Sequence, residues 1–380
     1  MSDTCSQIEG RHGRDYFDRY ETPRWRWSAS VTRSGECRDG PPSSRLLSTT
    51  STVRLRDLSA RIHSWQDGDV PYDLNNRLVI GVASSALFDL READTVFREQ
   101  GEASYRKFQE AHLEDPLRTG VAFPFIKRLL QLNNLSPGDP LVEVVIMSRN
   151  DPDTGLRVMR SIAHHGLDIT RAIFRAGRSP YEFIPALNIA LYLSADEAAV
   201  RSAVDAGYPA GRVLESVSED DNRDELRIAF DFDGVLTDDA AEQVFQQSGD
   251  ISAFHASESQ HMTETHPEGP LLPLLRALSR IQQVERDRCE VDSGYRRRLF
   301  VSIVTARNAP SHERVVNSLK AWQVNVDDAF FLGGIEKGHI MKVLKPHIFF
   351  DDQTTHLLGT SRYAPSVHVP FGALNREIMT

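Results

Sequence analysis

The sequence predicts an α/β protein made of two parallel-sheet halves that descend from an internal duplication, with the reactive side chains in the second half. Three observations support this prediction. Short apolar runs alternate with helical patterns from residue 76 onward, as expected for a parallel sheet covered by helices. The order of these segments then repeats along the chain. In the second repeat, charged side chains directly follow the apolar runs, at the strand ends where parallel sheets bind ligands.

Composition excludes several classes of protein. The chain has 380 residues, of which 40% are hydrophobic and 26% charged, as in an ordinary globular protein. A formal net charge of -10 argues against a partner that is a nucleic acid polymer. Three widely separated cysteines, Cys5, Cys37 and Cys289, fit a reducing compartment without disulfides. No apolar segment reaches the ~20 residues needed to span a bilayer. We therefore expect a cytoplasmic protein without a membrane partner.

Residues 1–74 differ from the rest of the chain. They are rich in Arg, Ser and Thr, contain no Lys and show no sustained apolar period. The segments 40–44 and 48–52 have a composition typical of disorder. We predict a disordered extension that carries no chemistry.

Regular patterns begin in the first half, which we place at residues 75–218. Apolar runs predict strands over 78–83, 141–147, 172–174 and 190–193, and periodic patterns predict helices over 93–108, 123–132 and 155–165. An acidic linker over 219–224 separates this half from the second, at residues 225–380.

The second half repeats the first. Residues 93–97 match 241–245 at an offset of 148, and Ser148-Arg-Asn150 matches Ala306-Arg-Asn308 at a larger one. The acids of the second half have no counterpart in the first. In this alignment the two acids after the apolar run 228–230 face Ala83 and Ser85, and those at 351 and 352 face Ser194 and Ala195. The first half is therefore predicted to be a degenerate, non-catalytic copy.

The stretch that organises the second half is Arg227-Ile-Ala-Phe-Asp-Phe-Asp-Gly-Val-Leu-Thr-Asp238. Side chains two apart on an extended strand share a face, so Asp231 and Asp233 are placed to meet one ligand. Gly234 lets the backbone turn sharply behind them. Two such carboxylates repel, and a cation, Mg²⁺ in particular, relieves the repulsion.

Three more strand ends of the second half carry reactive residues. A run over 301–305 ends in Thr305 and is followed by Arg307 and Asn308; a run over 330–334 leads to Lys337; and a run over 347–350 ends in the pair Asp351 and Asp352. Each residue alone has an ordinary interpretation as a cap, a solvated charge or an exposed turn. All of them in this order, each at or just after an apolar strand, would rarely arise by chance and indicate a functional site.

Together these residues resemble the haloacid dehalogenase superfamily of phosphotransferases, whose order is Asp-x-Asp, Ser/Thr, Lys and paired acids. A response-regulator receiver uses similar residues in a different order. The match narrows to the cytosolic type I 5′-nucleotidase family through the stretches 123–125, 191–196, 304–307 and 346–353, extended by 83–88 and 368–372. The resemblance covers about residues 76–372. It implies two Rossmann-like, haloacid dehalogenase-like halves, with a helical cap inserted over about 238–298.

The resemblance also implies an activity, the Mg²⁺-dependent hydrolysis of nucleoside 5′-monophosphates. Asp231 would be the nucleophile that forms an aspartyl phosphate, and Asp233 the general acid and base. Thr305 and Lys337 would bind phosphoryl oxygens. The implied metal ligands are Asp231, Asp351, Asp352 and the carbonyl of Asp233, and the expected substrate-binding residues are Arg307, Asn308, Arg149, Asn150 and Ser85.

Alternatives remain at the level of the sequence. The chain could be a phosphatase for another small phosphomonoester, or a regulatory protein that binds nucleotides without turnover, and a homo-oligomer is possible. In the first half, Ser84, Ser85, Arg149, Asn150 and Arg178 are predicted to line a metal-free site that completes the nucleoside pocket or holds a regulatory nucleotide. The metal site is expected to contain only oxygen ligands, because the nearest preceding histidine, His347, would lie about 13 Å back along an extended strand.

Overall fold

The computed structural model of the chain describes residues 72–216, 224–240, 243 and 251–375. The predicted extension over 1–74 therefore lies outside the described residues except for its last three. The described residues belong to one compact unit. Within the described ranges, no helix is long and apolar enough to cross a membrane.

The strands are numbered in chain order. They are β1 Leu78–Val82, β2 Phe88–Asp89, β3 Arg118–Thr119, β4 Val142–Ser148, β5 Arg171–Phe174, β6 Ile189–Ser194, β7 Ala210–Val213, β8 Leu226–Phe230, β9 Leu299–Thr305, β10 Asp328–Phe331, β11 Ile348–Asp351 and β12 Ser366–His368. β2 and β3 form a small antiparallel pair, and the others form one large sheet.

The helices alternate with these strands. They are α1 Ser84–Leu87, α2 Arg91–Ala111, α3 Phe123–Gln131, α4 Pro152–His164, α5 Glu197–Asp205, α6 Ile251–Gln260, α7 Leu272–Val291, α8 His312–Ala321, α9 Lys337–Leu344 and α10 Thr354–Thr360. The alternation confirms the predicted α/β class with a mostly parallel sheet. Helix α2 is interrupted at Gly101, whose φ of 79° is outside the helical region.

The large sheet has the order β10-β9-β8-β11-β12-β7-β6-β1-β4-β5. Each half therefore has the same internal strand order, with β1, β4, β5, β6 and β7 corresponding to β8, β9, β10, β11 and β12. Pairs within a half are parallel, whereas β12 and β7, which join the halves, are antiparallel. This antiparallel junction points the carboxyl ends of the two sets of strands toward opposite edges of the sheet.

The largest hydrophobic cluster spans both halves, and each half also has a smaller cluster of its own. Every residue of β1 and β4 is buried, as expected for parallel strands covered on both faces. Helix α3 of the first half packs against β8 of the second, and α7 of the second half packs against β1 and β6 of the first. The core cluster accordingly runs from Leu78 in β1 to Leu278 in α7 and Val367 in β12.

Helix α7 corrects the predicted extent of the cap. The sequence prediction placed a lid over 238–298, but α7 occupies 272–291 of this region and lies on the sheet, with Leu272, Leu274, Leu275 and Leu278 fully buried. Its apolar stripe is that of a core helix. Among the described residues of the region, α6 is the helix that contacts the acid-bearing end of the second half.

Candidate active site

The strand ends of the second half meet at one edge of the sheet. Asp231 directly follows β8, Thr305 ends β9 and Asp351 ends β11, and all three side chains are buried. β8 lies between β9 and β11, so the three carboxyl ends are neighbours. The backbone amide of Asp231 also donates to the carbonyl of Phe350, 2.8 Å away. These contacts fix Asp231 at the centre of a buried polar cluster.

Lys337 is the cation of this cluster. It is the first residue of α9, and 2% of its side chain is exposed. Its Nζ lies 2.5 Å from Oδ2 of Asp231 and 2.7 Å from Oδ2 of Asp351. Burial opposes its charge, but the two carboxylates outweigh burial and raise its pKa. Lys337 therefore stays protonated and can bind a phosphoryl oxygen at the same place.

The three carboxyl groups of the cluster, when ionised, carry more negative charge than Lys337 can neutralise. Burial raises the pKa of Asp231 to about 7, although Lys337 acts in the opposite direction. Burial raises the pKa of Asp352 to about 9, and the negative charges of Asp231 and Asp351 add to this effect. Burial also opposes ionisation of Asp351, but Lys337 and His356 outweigh it and lower its pKa. A cation is the group that would let all three acids ionise together.

The donor set fits a divalent cation. Asp231, Asp351 and His356 each offer a ligand atom, and these atoms lie within 4.8 Å of one another. Oδ1 of the buried Asp352 has no hydrogen-bond partner among the residues that the structure describes. A buried carboxylate oxygen in that state is costly unless it binds something. These carboxylates therefore suit a hard, oxygen-preferring ion.

His356 changes the prediction that the metal site contains only oxygen donors. It lies on α10, five residues after Asp351, and its Nδ1 is 3.3 Å from Oδ1 of Asp351. The sequence argument considered the histidine that precedes the acids. The helix that follows β11 instead returns the chain toward them and brings His356 to the cluster.

Gly234 lies directly against the carboxylate of Asp352. Its φ is 68°, in the left-handed region that favours glycine. A Cβ at this position would clash with Oδ2 of Asp352. The turn behind the first acid pair therefore needs glycine for two reasons, its backbone conformation and the close approach of a carboxylate from the end of β11.

We expect Gly234→Ala to lower activity at least tenfold while the chain remains folded. Left-handed backbone costs a side-chain residue roughly 1–2 kcal/mol, and the added methyl displaces the Asp352 carboxylate. Gly207→Ala is the matched control, since Gly207 has a φ of 80° but nothing within 4 Å of the position that an added methyl would take. Circular dichroism and phosphate release on both variants separate backbone strain from the clash. Equal activity in the two variants would contradict the role given to Gly234.

Asp233 pairs with Arg307 next to the cluster. Nε and Nη2 of Arg307 each lie 2.7 Å from an oxygen of Asp233, a bidentate pair. Arg307 is 2% exposed and also contacts Glu258 through Nη1. Burial opposes its charge, but Asp233 and Glu258 outweigh it and raise its pKa. The structure thus engages Arg307 with protein carboxylates, in contrast with its predicted role in binding substrate.

Thr305 and Asn308 flank this pair. Oγ1 of Thr305 accepts from the backbone amide of Arg307 at 3.2 Å, which fixes the hydroxyl at the end of β9. The side chain of Asn308 lies against α6, where its Oδ1 is 2.9 Å from Nε2 of His255. Thr305 is therefore positioned beside the acids, and Asn308 connects the end of β9 to α6.

The predicted site residues of the first half lie elsewhere. Ser85 follows β1 and Arg149 and Asn150 follow β4, so the antiparallel junction places all three at the opposite edge of the sheet. Arg149 donates to Asp196 at 2.6 Å and to the carbonyl of Gly177 at 2.9 Å. Ser85 borders a cavity of about 1250 Å³ on that edge, together with Lys345. The structure does not bring these residues to the acid cluster.

The sequence analysis did not assign several polar residues that the structure brings to the site. Glu258 and His266 are buried beside Arg307, and His368 and Asn375 hold the backbone carbonyl of Asp352 through donors 3.1 and 3.0 Å away. Glu258 lies 49 residues from Arg307, and His368 and Asn375 lie 16 and 23 residues from Asp352. Of these four residues, His368 lies in the stretch 368–372, which carries part of the family resemblance.

The chain is similar to known proteins over most of its length. The family model described as 5′-nucleotidase matches residues 70–376. Human cytosolic 5′-nucleotidase 1B is 30% identical over 299 residues, which are 76% of this chain and 48% of that protein, so the chain spans about half the length of this curated relative. Among solved structures, histidinol dehydrogenase from Elizabethkingia anophelis aligns at 10% identity over 83% of this chain and 62% of its own, with a TM-score of 0.19.

Proposed function

Because the chain belongs to the cytosolic type I 5′-nucleotidase family, we propose that its second half hydrolyses nucleoside 5′-monophosphates to nucleoside and phosphate. The observation that carries the proposal is the cluster of Asp231, Asp351, Asp352 and Lys337 at one edge of the sheet. A site for simple binding gains nothing from carboxylates that repel one another. A site for phosphoryl transfer uses each of them.

Asp231 is the proposed nucleophile. Its carboxylate oxygen attacks phosphorus, an aspartyl phosphate forms, and the bond from phosphorus to the 5′-oxygen breaks. Lys337 contacts Asp231 directly, so its charge favours the ionised form of that carboxylate, and it then binds a phosphoryl oxygen of the substrate. Thr305, buried at the adjacent strand end, donates to a second phosphoryl oxygen.

Asp233 is the proposed general acid and base. In its protonated form it gives a proton to the departing 5′-oxygen, and the carboxylate that results takes one from the water that hydrolyses the aspartyl phosphate. Its carboxylate is held by Arg307, whereas that of Asp231 is held by Lys337. These different partners support two roles for the two acids, since Asp231 bonds to phosphorus while Asp233 moves protons.

Mg²⁺ is the proposed cofactor. Asp231, Asp351, Asp352 and the carbonyl of Asp233 would hold it, with His356 at the border of the set. When bound, the ion neutralises the charge of the acids and of the phosphoryl group. The unpartnered Oδ1 of Asp352 is the structural feature that supports this assignment.

The choice of substrate class is tested by phosphate release from a panel of nucleoside 5′-monophosphates and sugar phosphates, with and without Mg²⁺. We expect nucleotides to be hydrolysed with at least tenfold higher kcat/KM than sugar phosphates, and only with the ion present. A preference for sugar phosphates would contradict the substrate assignment. The absence of any turnover would support a regulatory nucleotide-binding protein in its place.

We propose further that the first half is a degenerate duplicate that supports the second without taking part in the reaction. The same strand order in each half supports duplication, and the shared core supports a structural role. A cytoplasmic location is part of the same proposal, in line with the name of the human relative.

Arg149→Ala tests the role of the first half. Because Arg149 lies at the opposite edge and pairs with Asp196, we expect kcat and KM for nucleotide hydrolysis to stay within twofold of wild type. Arg307→Ala, at the corresponding position of the second half, should reduce kcat strongly in the same assay. A raised KM in the Arg149 variant would show that Arg149 contributes to substrate binding.

A further inference from the structure

Glu258 is a buried acid that no step of the proposed reaction uses. It lies on α6, and 3% of its side chain is exposed. Nη1 of Arg307 and Nε2 of His266 contact its Oε2, and Nη1 of Arg314 lies 2.8 Å from its Oε1. Burial raises the pKa of this carboxyl, but His266 and Arg307 outweigh burial and lower it to about 2. A fully ionised carboxylate is therefore held against Arg307.

Arg307 bridges Glu258 and Asp233. Nε and Nη2 engage Asp233, and Nη1 engages Glu258, so the planar guanidinium contacts one carboxylate at each of two edges. The ring centroids of Phe232 and Phe254 lie 5.5 and 5.3 Å from its central carbon. Such a guanidinium has little freedom to rotate or slide.

Helix α6 supplies two of these contacts. Glu258 and Phe254 both lie on it, whereas Asp233 follows β8 and Arg307 follows β9. His266 extends the connection to α8, since its Nδ1 is 2.8 Å from Oγ of Ser318. The orientation of Asp233 therefore depends on how α6 packs against the ends of β8 and β9.

We propose that Glu258 is a positioning residue for Asp233, acting through Arg307. Glu258 anchors the guanidinium from the side away from Asp233, and the guanidinium in turn aims the Asp233 carboxyl at the leaving oxygen. The inference rests on the proposed function, in which the bond from Asp231 to phosphorus forms, the bond from phosphorus to the 5′-oxygen breaks, and a proton passes from Asp233 to that oxygen.

This role predicts an effect that depends on the leaving group. A 5′-alkoxide is a strong base and needs the proton of Asp233 to depart. A nucleoside 5′-S-phosphorothiolate, in which sulfur replaces the bridging oxygen, releases a thiolate that is a weaker base and departs without it. Misplacing Asp233 therefore slows the oxygen substrate and spares the sulfur substrate, whereas general damage to the site slows both.

The test compares kcat/KM for the two substrates, because this ratio reports the steps up to departure of the leaving group. A general acid contributes about 10²–10⁴-fold, so Glu258→Gln should lose about 10–100-fold on the oxygen substrate. It should lose less than threefold on the sulfur substrate, with KM little changed on either. Arg307→Lys, which keeps the charge but not the bidentate contact, should show the same selectivity and serves if Glu258→Gln fails to fold.

Glu268→Gln is the matched control. Glu268 forms an ion pair with Arg276 at 2.7 Å in the same region of the chain, without contacting Arg307. We expect it to hydrolyse both substrates as wild type does. Equal losses on both substrates in the Glu258 and Arg307 variants, or no loss on either, overturn the positioning role while leaving the proposed function intact. A wild-type protein that hydrolyses neither substrate overturns both.

Discussion

Replacing Asp231 by Asn is expected to abolish phosphate release while leaving the chain folded. Asn is nearly isosteric with Asp but offers no carboxylate oxygen to attack phosphorus. Burial already opposes the charge of Asp231 and raises its pKa to about 7, and Lys337 keeps Asp351 as a partner at 2.7 Å in the variant, so we expect the fold to be retained. Loss of the nucleophile should raise the barrier by several kcal/mol, since each ~1.4 kcal/mol is tenfold in rate.

The measurement is phosphate release by the purified variant beside its thermal unfolding curve. Asp205→Asn, at the exposed end of α5 in the first half, is the control for the same chemical change away from the site. We expect wild-type rates from the control. Release by Asp231→Asn above roughly a hundredth of wild type, about 2.7 kcal/mol on the same scale, would remove Asp231 from the role of nucleophile.

The second large effect concerns Mg²⁺ and Asp352. Asp352→Asn should lose nearly all Mg²⁺-dependent activity, and it should also be more stable than wild type in chelator. Its folded-state pKa is raised from 3.8 to about 9, so the folded state binds a proton that the unfolded state has lost. Without metal, the stability of wild type should therefore fall as pH rises from about 4 to about 9, and Asn removes this loss.

Thermal unfolding with Mg²⁺ and with chelator checks both effects. A ligand that binds only the folded state at a concentration of 100 Kd stabilises it by about 2.7 kcal/mol. We expect Mg²⁺ to raise the Tm of wild type and to leave that of Asp352→Asn unchanged. Full activity of wild type in excess chelator, or restoration of activity by Zn²⁺ alone, would contradict the assignment of Mg²⁺. Zn²⁺ must be tested because His356 offers a nitrogen ligand beside the acids.

The grouping of the candidate site residues in the second half could be predicted because they lie where apolar runs end. Asp231, Thr305 and Asp351 follow strands whose burial is visible in the sequence, and a parallel sheet brings such ends together. Lys337 could be predicted for the same reason, since it follows β10 closely and begins α9. Local periodicity and the parallel arrangement were sufficient for these positions.

The partners of Arg307 could not be predicted in this way. Asp233 lies 74 residues before it and Glu258 lies 49 residues before it. These contacts depend on how α6 seats against the ends of β8 and β9, and no periodic pattern encodes that packing. An arginine after a strand is equally compatible with a phosphate and with a protein carboxylate, and here buried carboxylates hold it.

The antiparallel pairing that joins the two halves could not be predicted from the sequence either. β7 and β12 are strands of four and three residues, too short for a strong periodic signal. Their antiparallel pairing decides that the two sets of carboxyl ends face opposite edges. A prediction that assumed equivalent halves on one face therefore grouped Arg149 and Asn150 with a site that lies across the sheet.

Trapping the aspartyl phosphate tests the central claim most directly. Wild-type protein is mixed with a nucleoside 5′-monophosphate and Mg²⁺, quenched in acid within the first turnover and reduced with borohydride, which converts an aspartyl phosphate to homoserine. Mass spectrometry of the peptides then locates the change. We predict homoserine at position 231, dependent on substrate and absent from Asp231→Asn. Homoserine at another aspartate, or unmodified Asp231 in a protein that releases phosphate under these conditions, would contradict the account.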